Sequence, residues 1–142
     1  MILQRLGPEH VEQAWPLIEP HIQKLAHFFP DDWPVDRVLD QMKDRFVVPW
    51  VVWDEKAKEC YGVALTEIVV KPSGRKALNI HVAGHDHREW VRLLTELEEY
   101  GKSLGADKVE VIGRTGWERS LPDYQKARLA LFSKELGHGP TQ

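Results

Sequence analysis

Between Leu78 and Trp90 the chain changes period without a pause. An alternating run, Leu78-Asn79-Ile80-His81-Val82-Ala83, passes through Gly84-His85-Asp86-His87-Arg88-Glu89 into a helical one. Alternation at period two specifies a strand, and apolar spacing near 3.6 specifies an amphipathic helix. A strand feeding a helix is the unit of α/β folds. Its junction gathers free N–H groups at the positive end of the helix dipole, so anions bind there. What stands at this junction therefore bears on function as well as fold.

The rest of the chain supports a sheet with helices around it. Trp90, Leu93, Leu94, Leu97, Tyr100 and Leu104 share one helix face, Arg92, Glu96, Glu99 and Lys102 take the other, and Gly105 ends the helix. Lys108 to Ile112 then reads as a strand returned parallel to the preceding one by a right-handed crossover. Upstream, Val48–Trp53, Tyr61–Val70 and Lys76–Ala83 alternate as strands of an antiparallel meander, joined by polar turns at Asp54–Glu59 and Pro72-Ser73-Gly74. In the third of these, Leu78, Ile80 and Val82 face one way and Ala77, Asn79 and His81 the other. Pro49 lacks an N–H and places the start of the first at a sheet edge.

Nearer the N-terminus, Ile2–Leu6 is a short strand. Val11, Ala14, Trp15, Ile18, Ile22, Leu25 and Phe29 keep helical spacing, with Pro16 and Pro20 predicted to kink that helix or break it in two. Asp32-Trp33-Pro34 starts a second helix with a buried stripe of Val35, Val38, Leu39, Met42 and Phe46. After the parallel strand, Gly113-Arg114-Thr115-Gly116 turns into a short helix near Trp117–Leu121, and Leu129–Phe132 is a last strand.

Composition removes several function classes. At 142 residues and 42% hydrophobic, the chain fits one domain, residues 1–142, with a real core. A net charge of −3 gives no general attraction to nucleic acid or anionic membrane, and neither is expected as a partner. The longest apolar run, Val47–Trp53, is too short to cross a bilayer. Met1-Ile2-Leu3-Gln4-Arg5 has no signal-peptide character, and Cys60 is the only cysteine, so a soluble, cytoplasmic protein is expected.

The order strand, two helices, three-strand meander, long helix, strand, short helix, strand resembles the GNAT (Gcn5-related N-acetyltransferase) superfamily over nearly the whole chain. The element Gly113-Arg114-Thr115-Gly116-Trp117, followed by Glu118-Arg119-Ser120-Leu121, is similar to one in GNAT-like proteins of tailed bacteriophages and prophages. The resemblance implies an α/β fold, a mixed and mostly antiparallel sheet of about six strands flanked by helices on both faces.

In active members of that superfamily acetyl-CoA lies between the fourth and fifth strands, its pyrophosphate held by a glycine-rich loop. The matching segment here, Gly84 to Trp90, holds one glycine, and Asp86 and Glu89 fit an acidic helix cap that would repel phosphate. The family's proton-donating tyrosine aligns with Leu121, and Tyr124 stands three residues later. One reading follows from these departures: a phage- or prophage-type protein with no cofactor, degenerate in acetyl-CoA binding. Such a protein acts as a virion-associated or accessory interaction protein and binds a protein partner or itself.

The other reading is an acetyl-CoA-dependent N-acetyltransferase. The backbone near Val82 and Ala83 would then bind the acetyl carbonyl, with Gly84 also contacting the cofactor, Arg88 or Arg114 would hold phosphate, and His85 or Tyr124 would move protons. Glu67 is a second candidate base for the amine. A V-shaped opening between Leu78–Val82 and Val109–Ile112 distinguishes the active form. The acceptor pocket is expected from Phe28–Trp33 and neighbouring loops.

Two clusters carry alternatives. His81, His85, His87 and Asp86 are metal-ligand types, but they straddle a strand end and form no helical pair, so no metal is expected. Arg114 holds an anion or pairs with Glu110 or Glu118. Trp33 is an interface anchor or a loop tryptophan folded over the core, the second being favoured.

Overall fold

Five strands form one sheet among the residues described by the computed structural model, which are 1–44, 46–84, 87–113, 121–127 and 130–137. They are β1 (Ile2–Arg5), β2 (Val48–Asp54), β3 (Glu59–Val70), β4 (Lys76–Gly84) and β5 (Lys108–Ile112), in the spatial order β1-β2-β3-β4-β5. The first four pair antiparallel and β4–β5 is parallel. Helices α1 (Val11–Phe28) and α2 (Val35–Lys43) precede β2, and α3 (His87–Ser103) makes the crossover to β5. The α/β class and the mixed, mostly antiparallel sheet agree with the sequence reading.

The β3–β4 turn sets the register that builds the site. Gly74 adopts φ 89°, a left-handed conformation that a side chain would strain, and its N–H reaches the Lys71 carbonyl at 2.8 Å. The hairpin closes symmetrically about Ser73, pairing Val70 with Lys76, Glu67 with Asn79 and Leu65 with His81. Because side chains alternate, Glu67 and His81 emerge on the same face as diagonal neighbours.

Each face of the sheet has its own core. Under α1 and α2 lie Val51, Val63, Leu65 and Ala83, covered by Val11, Ile18, Ile22, Val38 and Met42. Under α3 lie Trp50, Val52, Ala64, Leu78 and Ile80, covered by Trp90, Leu93, Leu94 and Leu97. Each large aliphatic side chain taken fully out of water in these layers contributes about 1.5–3 kcal/mol. Trp50 lies in the α3 core while Trp53 lies beside Ala14, Leu17 and Ile18 of α1, on the opposite face, and Trp15 is only half-buried against the first core.

Several expectations are corrected. The helix carrying Pro16 and Pro20 is neither broken nor divided; α1 runs through both. Glu12, Pro16 and Pro20 all lie on its exposed side, so the carbonyls left without an N–H partner face water. The strand with Pro49 is internal over Trp50–Trp53, but the β1 ladder starts only at Arg5–Trp50, so its first part at Val48–Pro49 does lie at an edge, as the proline predicts. Phe46 is no part of the α2 stripe, since that helix ends at Lys43 and Phe46 stands 73% exposed. The strand expected at Leu129–Phe132 is not formed over residues 130–132, and Leu131 and Phe132 are exposed. The short helix expected near Trp117 falls on residues 114–120, outside the described residues.

Candidate functional site

The loop from α1 to α2 folds back on itself and delivers one indole to the sheet. The N–H groups of Asp32 and Trp33 both reach the Phe29 carbonyl, at 3.2 and 2.9 Å, and Pro34 caps α2 in an extended conformation. Trp33 is thereby buried to 4% exposure in the α1/α2 core. The interface-anchor alternative is corrected accordingly: the side chain is spent inside.

Its polar edge is not spent on the backbone. The Trp33 Nε1–H donates to His81 Nδ1 at 3.2 Å. The two rings also meet edge to face, with centroids 4.7 Å apart at 73°, and Phe29 flanks the imidazole at 6.3 Å. His81 projects from β4 with its side chain 12% exposed. Burial pushes its pKa below the usual imidazole value, although the Asp32 carboxylate pulls the other way. A neutral imidazole follows.

Glu67 projects from β3 beside it, with Oε1 4.0 Å from His81 Nε2 and a side chain 34% exposed. With His81 neutral this approach is not an ion pair, and it is longer than a direct hydrogen bond. Burial raises the Glu67 pKa, and the Asp32 carboxylate raises it further. A half-buried carboxylate with a raised pKa, reachable from solvent, is the chemistry of a general base. The site thus gathers Trp33, His81, Glu67 and Asp32 at the end of the α1/α2 face.

The neighbouring strand ends complete the setting. β4 and β5 stay paired from Ala77–Lys108 to His81–Ile112. The V-shaped opening that would mark an active enzyme is not formed over 78–81, where the strands stay paired, and β4 leaves β5 only beyond His81. Beyond His81, β4 continues through Val82, Ala83 and Gly84 paired with β3 alone among the described residues. This leaves strand-edge backbone groups of Val82–Gly84 directly after the histidine. Such an edge suits an extended amide-bearing chain.

The remaining expected residues fall elsewhere. Arg88 is the second residue of α3, one turn past the end of β4. His85, Asp86 and Arg114 lie outside the described residues. Tyr124 is on the other side of the sheet, packed against the α3 core, with its hydroxyl donating to Glu98 Oε2 at 2.7 Å. Burial and that carboxylate push its pKa well above the ordinary phenol value. It lines a cleft of about 980 Å³ between α3 and β5 that includes Glu98, Gly101, Val109 and Val111. The structure thus joins Glu67 to His81 and separates both from Tyr124. The sequence offers Glu67 as a base alternative to His85, and His81 only as a metal-ligand type. The signal that unites them is the turn centred on Ser73, which makes positions 67 and 81 diagonal neighbours.

No family model matches the chain, and no curated protein matches it in sequence. Solved structures do match in fold. A probable acetyltransferase superposes with a TM-score of 0.67 at 8% identity, over 98% of this chain and 100% of the other. An aminoglycoside acetyltransferase from an uncultured soil metagenomic sample, solved with sisomicin, gives 0.65 at 12% identity over 96% of each chain. Glucosamine-6-phosphate N-acetyltransferase from Arabidopsis thaliana gives 0.64 at 14% identity, over 96% of this chain and 98% of that one. The chain has the GNAT-like fold. No described helix is long and apolar enough to cross a membrane.

Proposed function

We propose that this chain transfers an acetyl group from acetyl-CoA to an amine, with Glu67 as the general base. The observation that carries the reading is the pairing of a half-buried, raised-pKa carboxylate with a neutral histidine, 4.0 Å apart. It lies where β4 outruns β5. The fold neighbours, themselves acetyltransferases, support the same class of chemistry.

Acetyl-CoA would supply the thioester carbon; a nitrogen–carbon bond forms there, the carbon–sulfur bond breaks, and CoA leaves as its thiolate, which takes a proton from water. The chain's own residues do the rest. Glu67 takes the proton that the amine loses as its nitrogen becomes an amide. Its raised pKa brings it nearer neutrality, where a base both stays ionised and binds a proton well. Backbone groups of Val82, Ala83 and Gly84 would hold the carbonyl oxygen, and fixed backbone dipoles stabilise the charge that grows there. Arg88, at the start of α3, and Arg114 are the expected phosphate partners. Phe29 and Trp33 pack against His81 and hold the imidazole beside the base.

Thiol release from acetyl-CoA across a panel of primary amines tests this. Saturable turnover that Glu67→Gln lowers by about 10²–10⁴-fold, with the fold intact, supports it. If neither acetyl-CoA nor CoA binds, the degenerate reading takes its place. In that case the chain is an accessory or virion-associated protein that binds a protein partner or a second copy of itself.

A further inference from the structure

We infer that Trp33 is a positioning residue that locks His81 as its Nε2–H tautomer, so that the imidazole serves Glu67 as a neutral donor and is not itself the base. The indole Nε1–H can only donate, and it lies 3.2 Å from His81 Nδ1. Nδ1 must therefore present a lone pair, and in the neutral ring the proton sits on Nε2. That nitrogen is the one turned toward Glu67, 4.0 Å from Oε1. One bridging water or a small side-chain rotation closes such a gap, as polar contacts in free enzymes often tighten only with substrate.

The lock has something to work against. Two carboxylates face the imidazole: Glu67 from β3 and Asp32 from the loop before α2. The C-cap of α1, Phe29, lies against the ring, and β5 brings Ile112 alongside. Carboxylates on their own favour an imidazolium. Protonating His81, however, would put an N–H on Nδ1 head to head with the indole N–H, breaking the hydrogen bond. The edge-to-face contact at 4.7 Å leaves the ring little freedom to turn away. Without the indole donor, His81 would charge and pair with Glu67. The carboxylate would then be held as an ion pair, a poorer base.

Among seven histidines, the His81 ring is identified by its disappearance in His81→Gln, and its ¹⁵N shifts are followed against pH. Wild-type protein is expected to show a protonated Nε2, an acceptor Nδ1, and a ring still mostly neutral at pH 6.5, where a free imidazole is half charged. Trp33→Phe is expected to shift the His81 titration upward and mix the tautomers. A wild-type ring protonated on Nδ1, or half charged at 6.5 or above, overturns the inference. So does a Trp33→Phe spectrum identical to wild type. If Trp33→Phe does not fold, the wild-type spectrum decides alone.

The catalytic half rests on Glu67 being the base and is read separately. His81→Gln keeps an N–H donor and is expected to retain most turnover, whereas His81→Leu loses it and Trp33→Phe moves the acid limb of the kcat profile. Equal rates for the Gln and Leu variants overturn the positioning role. Absence of turnover in wild type, with the tautomer lock observed, defeats the proposed function and leaves the lock standing.

Discussion

Each face of the sheet buries one hydrogen-bonded indole N–H, and the two bonds end differently; on the α3 face Trp90 Nε1 is buried as well, without a hydrogen-bond partner among the described residues. On the α3 face, Trp50 Nε1–H donates to Thr66 Oγ1 at 3.1 Å, and that hydroxyl donates to the Val48 carbonyl at 2.9 Å. The chain of donors closes on the backbone, and nothing in it titrates. Arg5 stacks over Tyr100 at 5.4 Å at the rim, and the interior is otherwise aliphatic and aromatic. On the α1/α2 face, Trp33 donates to a histidine, and the histidine leads outward to a half-exposed carboxylate. The same face also buries His21, whose Nε2–H donates to the Cys60 carbonyl at 3.3 Å. A closed relay stabilises a fold. An open one that ends in a titratable group at a strand edge is suited to chemistry.

This contrast can be broken by substitution. The largest expected effect is on rate: Glu67→Gln lowers turnover by about 10²–10⁴-fold while thermal unfolding stays near wild type. A comparable loss from a substitution confined to the α3 face would erase the distinction. Ile80→Ala, fully buried under α3, is expected to cost about 2–5 kcal/mol in denaturant unfolding, with little change in kcat for the protein that remains folded. Tyr124→Phe removes only the hydrogen bond to Glu98 and should cost about 1 kcal/mol with turnover nearly unchanged. If Tyr124→Phe instead lowers kcat by about 10²-fold, the tyrosine is the proton donor to the departing sulfur and chemistry spans both faces.

The smallest expected effect is a pH dependence of stability. The His81 pKa is lowered in the fold, so its neutral form is favoured there. Its contribution is full above the ordinary value of 6.5 and is lost as the pH falls through the lowered folded value. Unfolding curves across that window should show it in wild type and not in His81→Gln. Thr66 and Trp50 do not titrate, so the α3 face should give no counterpart.

The sheet was legible in the sequence because each strand kept its alternation and each turn its chemistry. β5 has the expected bounds, and β3 and β4 differ from expectation by at most two residues at an end. α1 was misread because a proline's cost depends on which side of the helix it occupies, and that is settled only once the buried stripe docks. The site was half legible. Glu67 stood out as an acid within a strand, and His81 as a potential ligand, but their meeting depends on hairpin register. The turn at Pro72–Gly74 carried that register in plain sight. The burial of Trp33 is as favoured from the sequence, but its hydrogen bond to His81 was not legible, because a loop tryptophan has no period. Its role is set by where the Phe29–Pro34 turn places it.

Turnover of acetyl-CoA with a primary amine, followed from acid to alkaline pH in wild type and Glu67→Gln, tests the central claim most directly. Wild type is expected to show saturable thiol release, with an acid limb above the ordinary glutamate value of 4.5, and the variant its near loss. Folded wild-type protein that releases no thiol, or a variant with the same rate and the same limb, would contradict it.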